Sequence, residues 1–321
     1  MENVLYCLNM KKELYEYYKL WNRVPLQTYG MVHRKGWNMM KILLAFILIL
    51  ALFFIVVMVI DCNRFVIREY RCEDKRLKMP LKIVQLSDLH NKSFGKDNSR
   101  LIHAIREQNP DLIIVSGDMY TSLPGKETIA AQKLMEELAK SYSVYYANGN
   151  HEQKTREETE EFGSLYEDYR KKLSGKGIHF LSNEHVYLKD YNISLYGLEI
   201  HRRYYRKFRK QILGADRVQE YLGVPDPGSF HMMIAHNPDF FEDYAAWGAD
   251  LVFAGHVHGG LMRLPVLGGV IAPSMKLFPK YDGGEFHEGN AAMILSRGLG
   301  THTLPIRIFN PGELVVVKLT P

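Results

Sequence analysis

From Leu81 to the C-terminus, short apolar runs alternate with stretches whose apolar residues recur at helical spacing, the pattern of a domain in which strands and helices take turns. Ile83-Val84-Gln85-Leu86, Leu112 to Val115, Val144 to Ala147, Met232 to Ala235 and Leu251 to Ala254 predict strands. Leu101, Ile102 and Ile105 predict a helix that stops before Asn109-Pro110, because the residue ahead of a proline is pushed out of the helical region. Ala131, Leu134, Met135 and Leu138 predict a second helix, and Phe162, Tyr166, Tyr169 and Leu173 a third, closed by Gly175. Val186-Tyr187-Leu188 and Ile193 to Tyr196 read as a hairpin turning at Asp190-Tyr191-Asn192. In the tail, Ala291 to Leu295, Ile306 to Phe309 and Leu314 to Val317 predict three strands without intervening helices. The expected fold class is α/β, a layered αββα sandwich with two mixed β-sheets and flanking helices, over residues 81–321.

Ahead of this domain the pattern changes. Ile42 to Ile60 is a run of nineteen apolar residues without a charge, bounded by Lys41 and Asp61. At 1.5 Å per residue it covers roughly 28 Å, one hydrocarbon thickness, and few globular helices are apolar on every face over that length. It predicts one N-terminal transmembrane helix, 42–60, and hence the lipid bilayer as a partner. No small-x-small site follows it, so the helix reads as an uncleaved anchor rather than a signal peptide. Residues 1–41 read as a loosely ordered extension and the charge-rich residues 61–80 as a juxtamembrane stalk ending at Pro80. Arg34, Lys35 and Lys41 precede the span, whereas Arg64, Arg68, Arg71, Lys75, Arg76 and Lys78 follow it; taken literally, that places the large domain in the cytoplasm. Lys11, Lys12, Lys19 and Arg23 add to the other side, so charge alone leaves the orientation open.

Composition changes the picture little. The 321 residues carry 41 basic and 36 acidic side chains, a modest excess that gives no reason to expect nucleic acid as a partner. The three cysteines, Cys7, Cys62 and Cys72, all lie outside the predicted domain, which argues against thiol catalysis and excludes a four-cysteine zinc site within one chain.

Chemistry concentrates where the predicted strands end. The run Leu251 to Ala254 is followed by Gly255-His256-Val257-His258-Gly259-Gly260. In extended backbone His256 and His258 would face one way, roughly 6–7 Å apart, placed to bind the two ions of a metal pair whose centres lie about 3.5–4 Å apart. Leu86 is followed by Ser87-Asp88-Leu89-His90, which repeats that spacing, and Val115 by Ser116-Gly117-Asp118. Ala147 is followed by Asn148-Gly149-Asn150-His151-Glu152, and Ala235 by His236-Asn237-Pro238. Each piece alone has an ordinary reading as a turn or cap. Five strand ends carrying these residue types in order do not, because the carboxyl ends of strands in open α/β sheets converge on the ligand crevice.

The series D-x-H, G-D, G-N-H-[D/E], H and G-H-x-H, from Asp88 to His258, resembles the calcineurin-like metallophosphoesterase superfamily. The resemblance implies that Asp88, His90, Asp118 and His258 hold one metal ion and Asp118, Asn150, His236 and His256 the other, with Asp118 between them. It also implies that His151 protonates the leaving group or steadies the phosphoryl oxygens, with Glu152 orienting it. Imidazole and carboxylate donors suit two divalent or trivalent ions, manganese, iron or zinc, and such a pair lowers the pKa of a shared water.

The apolar N-terminal run, with Ser296-Arg297-Gly298-Leu299-Gly300-Thr301 and Leu304-Pro305-Ile306-Arg307, is similar to the bacterial membrane-associated phosphodiesterase branch. One departure is that Thr121 stands where that branch carries an acidic residue. The missing Asp-Arg argues against the Ser/Thr protein phosphatases, and Gly298-Leu299-Gly300 reads as a turn near the site.

The expected function is that of a single-pass, membrane-anchored hydrolase of phosphodiester or pyrophosphate bonds, with a lipid headgroup as a candidate substrate. By resemblance its catalytic domain lies outside the cytoplasm. Two other readings stand beside it: a tethered phosphatase of soluble monoesters or nucleotides, and a catalytically silent membrane receptor that keeps the metal site for structure. The run Arg202-Arg203-Tyr204-Tyr205-Arg206-Lys207-Phe208-Arg209-Lys210, six basic residues in nine, is either a solvated face or a surface that meets anionic lipid.

Overall fold

The computed structural model describes residues 12–13, 15–19, 26–206, 211–264, 268–271, 277–301 and 305–321, and in its long first helix describes side chains from Trp37 onward. Lys207, Phe208, Arg209 and Lys210 of the basic run, and Leu304, lie outside the described residues. The chain divides into two compact units, 1–56 and 57–321.

Helix α1 (Leu26–Cys62) supplies the first unit and reaches into the second. Over Trp37–Cys62, at a mean hydropathy of 3.5, it is the one helix among the described residues long and apolar enough to cross a membrane. Ile42, Leu43, Leu44, Phe46, Ile47, Leu48 and Ile49 are all exposed, and at 100° per residue they are spread around the whole helix.

The second unit holds two six-stranded sheets. The first has the order β1-β14-β2-β3-β4-β5, with β1 Phe65–Glu73, β2 Leu81–Leu86, β3 Leu112–Val115, β4 Ser143–Tyr146, β5 His179–Phe180 and β14 Gly312–Thr320. The second has the order β12-β13-β9-β8-β7-β6, with β6 Glu184–Leu188, β7 Ile193–Leu198, β8 Phe230–Ala235, β9 Leu251–Ala254, β12 Gly284–Glu288 and β13 Ala291–Leu295. A two-residue ladder, β10 (Arg263–Leu264) with β11 (Gly268–Gly269), stands apart. Both large sheets are mixed. Strands β2 to β5 run parallel and β14 antiparallel to β2; β7, β8, β9 and β13 run parallel, while the edges β6 and β12 are antiparallel to their neighbours.

Ile83, Ile114 and Val317 from one sheet meet Leu195, Met232, Phe253 and Ile294 from the other in a buried layer between them. On the outer faces, α2 (Ser99–Gln108), α3 (Ile129–Leu138) and, after α4 (Asn150–Glu157) and the single turn α5 (Thr159–Phe162), α6 (Leu165–Ser174) pack on the first sheet through Leu101, Leu134 and Leu173. Helices α7 (Ala215–Leu222) and α8 (Phe241–Trp247) cover the second through Val218 and Tyr244. This is the αββα sandwich the alternation predicts. Gln85, polar in an otherwise apolar strand, is fully buried because its amide donates to Ser116 Oγ at 2.8 Å and across the layer to the Ala254 carbonyl at 2.9 Å, stitching the two sheets next to the strand ends.

Two expectations are corrected. Residues 65–73 are not stalk but the edge strand β1, parallel to β14 from Phe65↔Gly312 to Glu73↔Thr320. Tyr70 and Cys72 pack on the inter-sheet core while Arg68, Glu69, Arg71 and Glu73 alternate with or flank them, so the charges that suggested a stalk decorate a sheet edge. Ile306 to Phe309 is not a strand; only Ile308 forms an isolated bridge, to Met262. Arg307, in its middle, turns inward, and its buried guanidinium donates to the carbonyls of Arg297, Gly298, Gly300 and Asn310. Cys62 and Cys72 are both free thiols.

Candidate metal centre

The register brings the strand ends level: Leu86 pairs with Val115, Val115 with Tyr146, and Ile234 with Phe253. Everything that follows these residues therefore emerges at one edge of the sandwich. The chain does not stay extended there. Asp88 (φ 51°), His90 (φ 49°), Asp118 (φ 56°), His256 (φ 73°) and His258 (φ 53°) all adopt left-handed backbone. The same-face argument from extended spacing is thus replaced by tight turns, each such residue costing of order 1 kcal/mol or more. Hydrogen bonds between the turns hold them: Asp88 N to Gly117 O at 3.0 Å, His90 N to Asp118 O at 3.1 Å, and His256 N to Asp88 Oδ1 at 3.1 Å. Gly298 and Gly300 press against the Asp88 turn, with Gly300 N donating to Asp88 O at 2.7 Å; the predicted turn near the site is its back wall. Gly149 is required by close approach, since a β-carbon there would collide with Asp118 Oδ1.

These turns assemble three overlapping sets of donors able to hold a metal ion: Asp88, His90 and His258; His90, Asp118 and His151; and Asp118, His236 and His256. His90 Nε2 and His258 Nε2 stand 3.0 Å apart, and His258 Nε2 lies 3.3 Å from Asp88 Oδ1. His236 Nε2 lies 3.1 Å from Asp118 Oδ2, while its Nδ1 donates to the Ser116 carbonyl at 2.6 Å, a contact that turns Nε2 toward the cluster as a candidate ligand atom. His90 Nδ1 is 3.2 Å from Thr121 Oγ1, so the residue that departs from the expected pattern orients the ring of a candidate ligand.

The electrostatics ask for positive charge at this place. Burial pushes the Asp88 carboxyl up to about 6, with the Asp118 charge adding to it. Burial also opposes ionisation of Asp118, yet His236, His151 and His90 hold its carboxyl well below the usual carboxylate range. Burial disfavours a charged His236, but Asp118 and Asp88 hold it up at about 10. Two buried carboxylates that disfavour each other's charge and are favoured by positive imidazole form an environment suited to a cation. Asn150 Oδ1 is buried with no hydrogen-bond partner among the described residues. An amide oxygen, carboxylates and imidazoles, one of them orphaned, fit hard-to-borderline metal ions.

Two predicted residues behave differently from each other. His151 sits beside the cluster, Nε2 3.9 Å from Asp118 Oδ2, and its Nδ1 accepts from Ser122 N at 3.0 Å. Glu152, fully buried, points elsewhere. It accepts from the backbone N–H groups of Asp118, Met119 and Gly149 at 2.9 Å each and from the Tyr146 hydroxyl at 2.8 Å. The implied role of orienting His151 is corrected: Ser122 does that, and Glu152 clamps the Asp118 turn to the start of α4. Burial and the Asp118 charge push its carboxyl up to about 7, against the donors around it. Ser122, Gln85 and Asn310 carry no motif signal. The departure from the expected pattern points to Thr121, and the tail motif ending at Arg307 points to that arginine.

Fold and site together define a metallophosphoesterase: an αββα sandwich with Asp, His and Asn donors gathered at the strand ends. Residues 81–260 match the calcineurin-like phosphoesterase family, and the chain belongs to it, so it is a phosphoester hydrolase by family. It is similar to the uncharacterized metallophosphoesterase YkuE of Bacillus subtilis (strain 168), 26% identical over 244 residues that cover 74% of this chain and 78% of the relative. Phosphodiesterase YaeI of Escherichia coli (strain K12) is 28% identical over 229 residues, 69% of this chain and 76% of that one. A transmembrane protein with a metallophosphoesterase domain from Danio rerio is 26% identical over 251 residues, 74% of this chain and 53% of its own length.

Proposed function

We propose that this chain is a single-pass, membrane-anchored phosphodiesterase that hydrolyses phosphodiester or pyrophosphate bonds, with lipid-linked substrates within its reach. The observation that carries the reading is the overlap of the three donor sets, in which His90 and Asp118 each belong to two. Asp88, His90, Asp118 and His258 would hold one ion and Asp118, Asn150, His236 and His256 a second, manganese, iron or zinc. When bound, such a pair lowers the pKa of a coordinated water and neutralises charge on the phosphoryl oxygens.

The chain's own part in proton transfer falls to His151. Because Nδ1 accepts from the Ser122 N–H, the proton resides on Nε2, the atom on the cluster side. From there it passes to the ester oxygen that leaves as the new P–O bond forms.

The anchor bears on the substrate. Asp61, the first charged residue after the apolar run, is buried and its Oδ2 accepts from Asn310 N at 3.0 Å. Asn310 Nδ2 in turn donates to the carbonyls of His258 and Gly260 at 2.7 Å each. One residue thus joins the end of α1 to the His258 loop, so the two lie within about 10 Å.

The test uses full-length protein in detergent with manganese, assayed on bis(4-nitrophenyl) phosphate and on 4-nitrophenyl phosphate. The diester should be hydrolysed faster; preference for the monoester would favour the tethered phosphatase, and turnover of neither the silent receptor. His151→Ala should retain its metal and lose about 10²–10⁴-fold in rate, the usual worth of positioned proton transfer. Loss of metal together with rate would make it a ligand instead. The catalytic domain is assigned to the outside of the cytoplasm, so a cysteine placed after Pro321 should react with an impermeant maleimide in intact cells. Labelling confined to lysed cells would reverse that orientation.

A further inference from the structure

Beside the donor cluster, a cleft of about 600 Å³ opens between α4 and the turn Arg202–Tyr205, within the size range of small-molecule sites. His151 and Asn150 are among its lining residues, so the cleft borders the donor cluster. Its walls carry cations whose charges are unequally matched. Arg202 is engaged by Glu157 at 3.2 Å and Glu158 at 2.8 Å, and Lys154 lies 3.6 Å from Glu158 and 3.7 Å from Glu161. Arg203 makes no ion pair among the described residues; its guanidinium donates to the Tyr204 hydroxyl at 2.7 Å and lies over that ring. Arg206 is exposed at the cleft and makes no ion pair among the described residues. Two guanidinium groups therefore line the cleft without a carboxylate partner among the described residues, and His151 lines it with them.

We propose that this cleft receives a second anionic phosphoryl group, carried on the leaving-group side of the scissile bond and gripped by Arg206 and Arg203. The preferred substrate is then a pyrophosphate diester rather than a simple phosphodiester. The proposal rests on the hydrolase reading above. A planar guanidinium donates two parallel N–H bonds to a phosphate, and a cleft with unmatched positive charge raises the local concentration of such a group. In the reaction water oxygen bonds to the scissile phosphorus and releases a proton to solvent, the bridging P–O bond breaks, and the departing bridging oxygen, which belongs to the second phosphoryl group, takes the proton from His151 Nε2, which solvent then replaces.

The test compares P1,P2-bis(4-nitrophenyl) pyrophosphate with bis(4-nitrophenyl) phosphate on the full-length, manganese-loaded protein in detergent. Wild type should favour the pyrophosphate in kcat/KM. Arg206→Ala should lower kcat/KM for it about tenfold, mostly through KM, and the double change with Arg203→Ala about a hundredfold, with the simple diester altered less than about twofold. Arg206→Lys should restore part of the loss. The inhibition constant of the non-hydrolysable methylene-bridged analogue should rise in parallel with KM. Equal losses on both substrates, no loss on either, or a wild type that hydrolyses only the simple diester would overturn the proposal and leave the hydrolase reading standing. A wild type that hydrolyses neither would sink both.

Discussion

On the proposed ligand assignment, Asp118→Ala should lose metal binding and phosphoester hydrolysis together. Asp118 belongs to two of the three donor sets, its Oδ2 is 3.1 Å from His236 Nε2, and its Oδ1 accepts from His151 N at 2.9 Å. Removing it takes away the carboxylate that both sets share and the negative charge that holds His236 in place. A fall of about 10³-fold or more in kcat/KM is expected, about 4 kcal/mol of lost transition-state stabilisation. Asp118→Asn, nearly the same shape, separates ligand loss from packing: it should fold as wild type yet bind less metal. Metal content comes from elemental analysis after gel filtration, and rate from bis(4-nitrophenyl) phosphate. A full complement of metal in Asp118→Ala would overturn the ligand assignment.

Glu152→Ala should be the more damaging change to the fold. Its carboxylate matches three backbone N–H groups and one tyrosine hydroxyl in a site closed to solvent, and alanine leaves all four buried without it. Removing one partner of such a buried charged network costs about 3–5 kcal/mol, a large part of a domain's net stability. Glu152→Gln, which keeps the shape but turns an NH₂ toward N–H donors, should cost about 1–3 kcal/mol. Denaturant unfolding measures both. Because Glu152 clamps the Asp118 turn rather than touching His151, the Gln variant should lower stability and metal affinity without moving the pH dependence of the remaining activity. A shifted pH profile at unchanged stability would return Glu152 to the role of orienting His151.

The contrast between these two residues shows what was legible. Asp118 could be read because its chemistry is local: a carboxylate after Gly117 at the end of a predicted strand, one of five such ends in order. Glu152 follows Asn150-His151 in the motif, yet its carboxylate faces the Asp118 turn and not the His151 ring. Adjacency along a chain says little about direction in space; at the third position of α4 the side chain turns back to cap the Gly149 N–H instead of following His151. The same limit applies to His256 and His258. Their spacing marked them as a pair, but the extended geometry assumed for them gave way to left-handed turns.

The sequence by itself determined the αββα class, because burial imposes a period of 2 or 3.6 on apolar residues, and most of the candidate donors, because their types recur after strand ends. It also showed the apolar helix, whose hydrophobicity on all faces is a property of composition alone. Only the tertiary structure decided that residues 65–73 join the sheet as β1, since pairing with β14 links positions some 247 apart, by the register Phe65↔Gly312. Only it set Thr121 against His90, Ser122 against His151, and Asn310 between Asp61 and His258. Each of these depends on hydrogen bonds between turns brought together by folding. A short polar residue in a loop carries no periodicity from which its partner could be read.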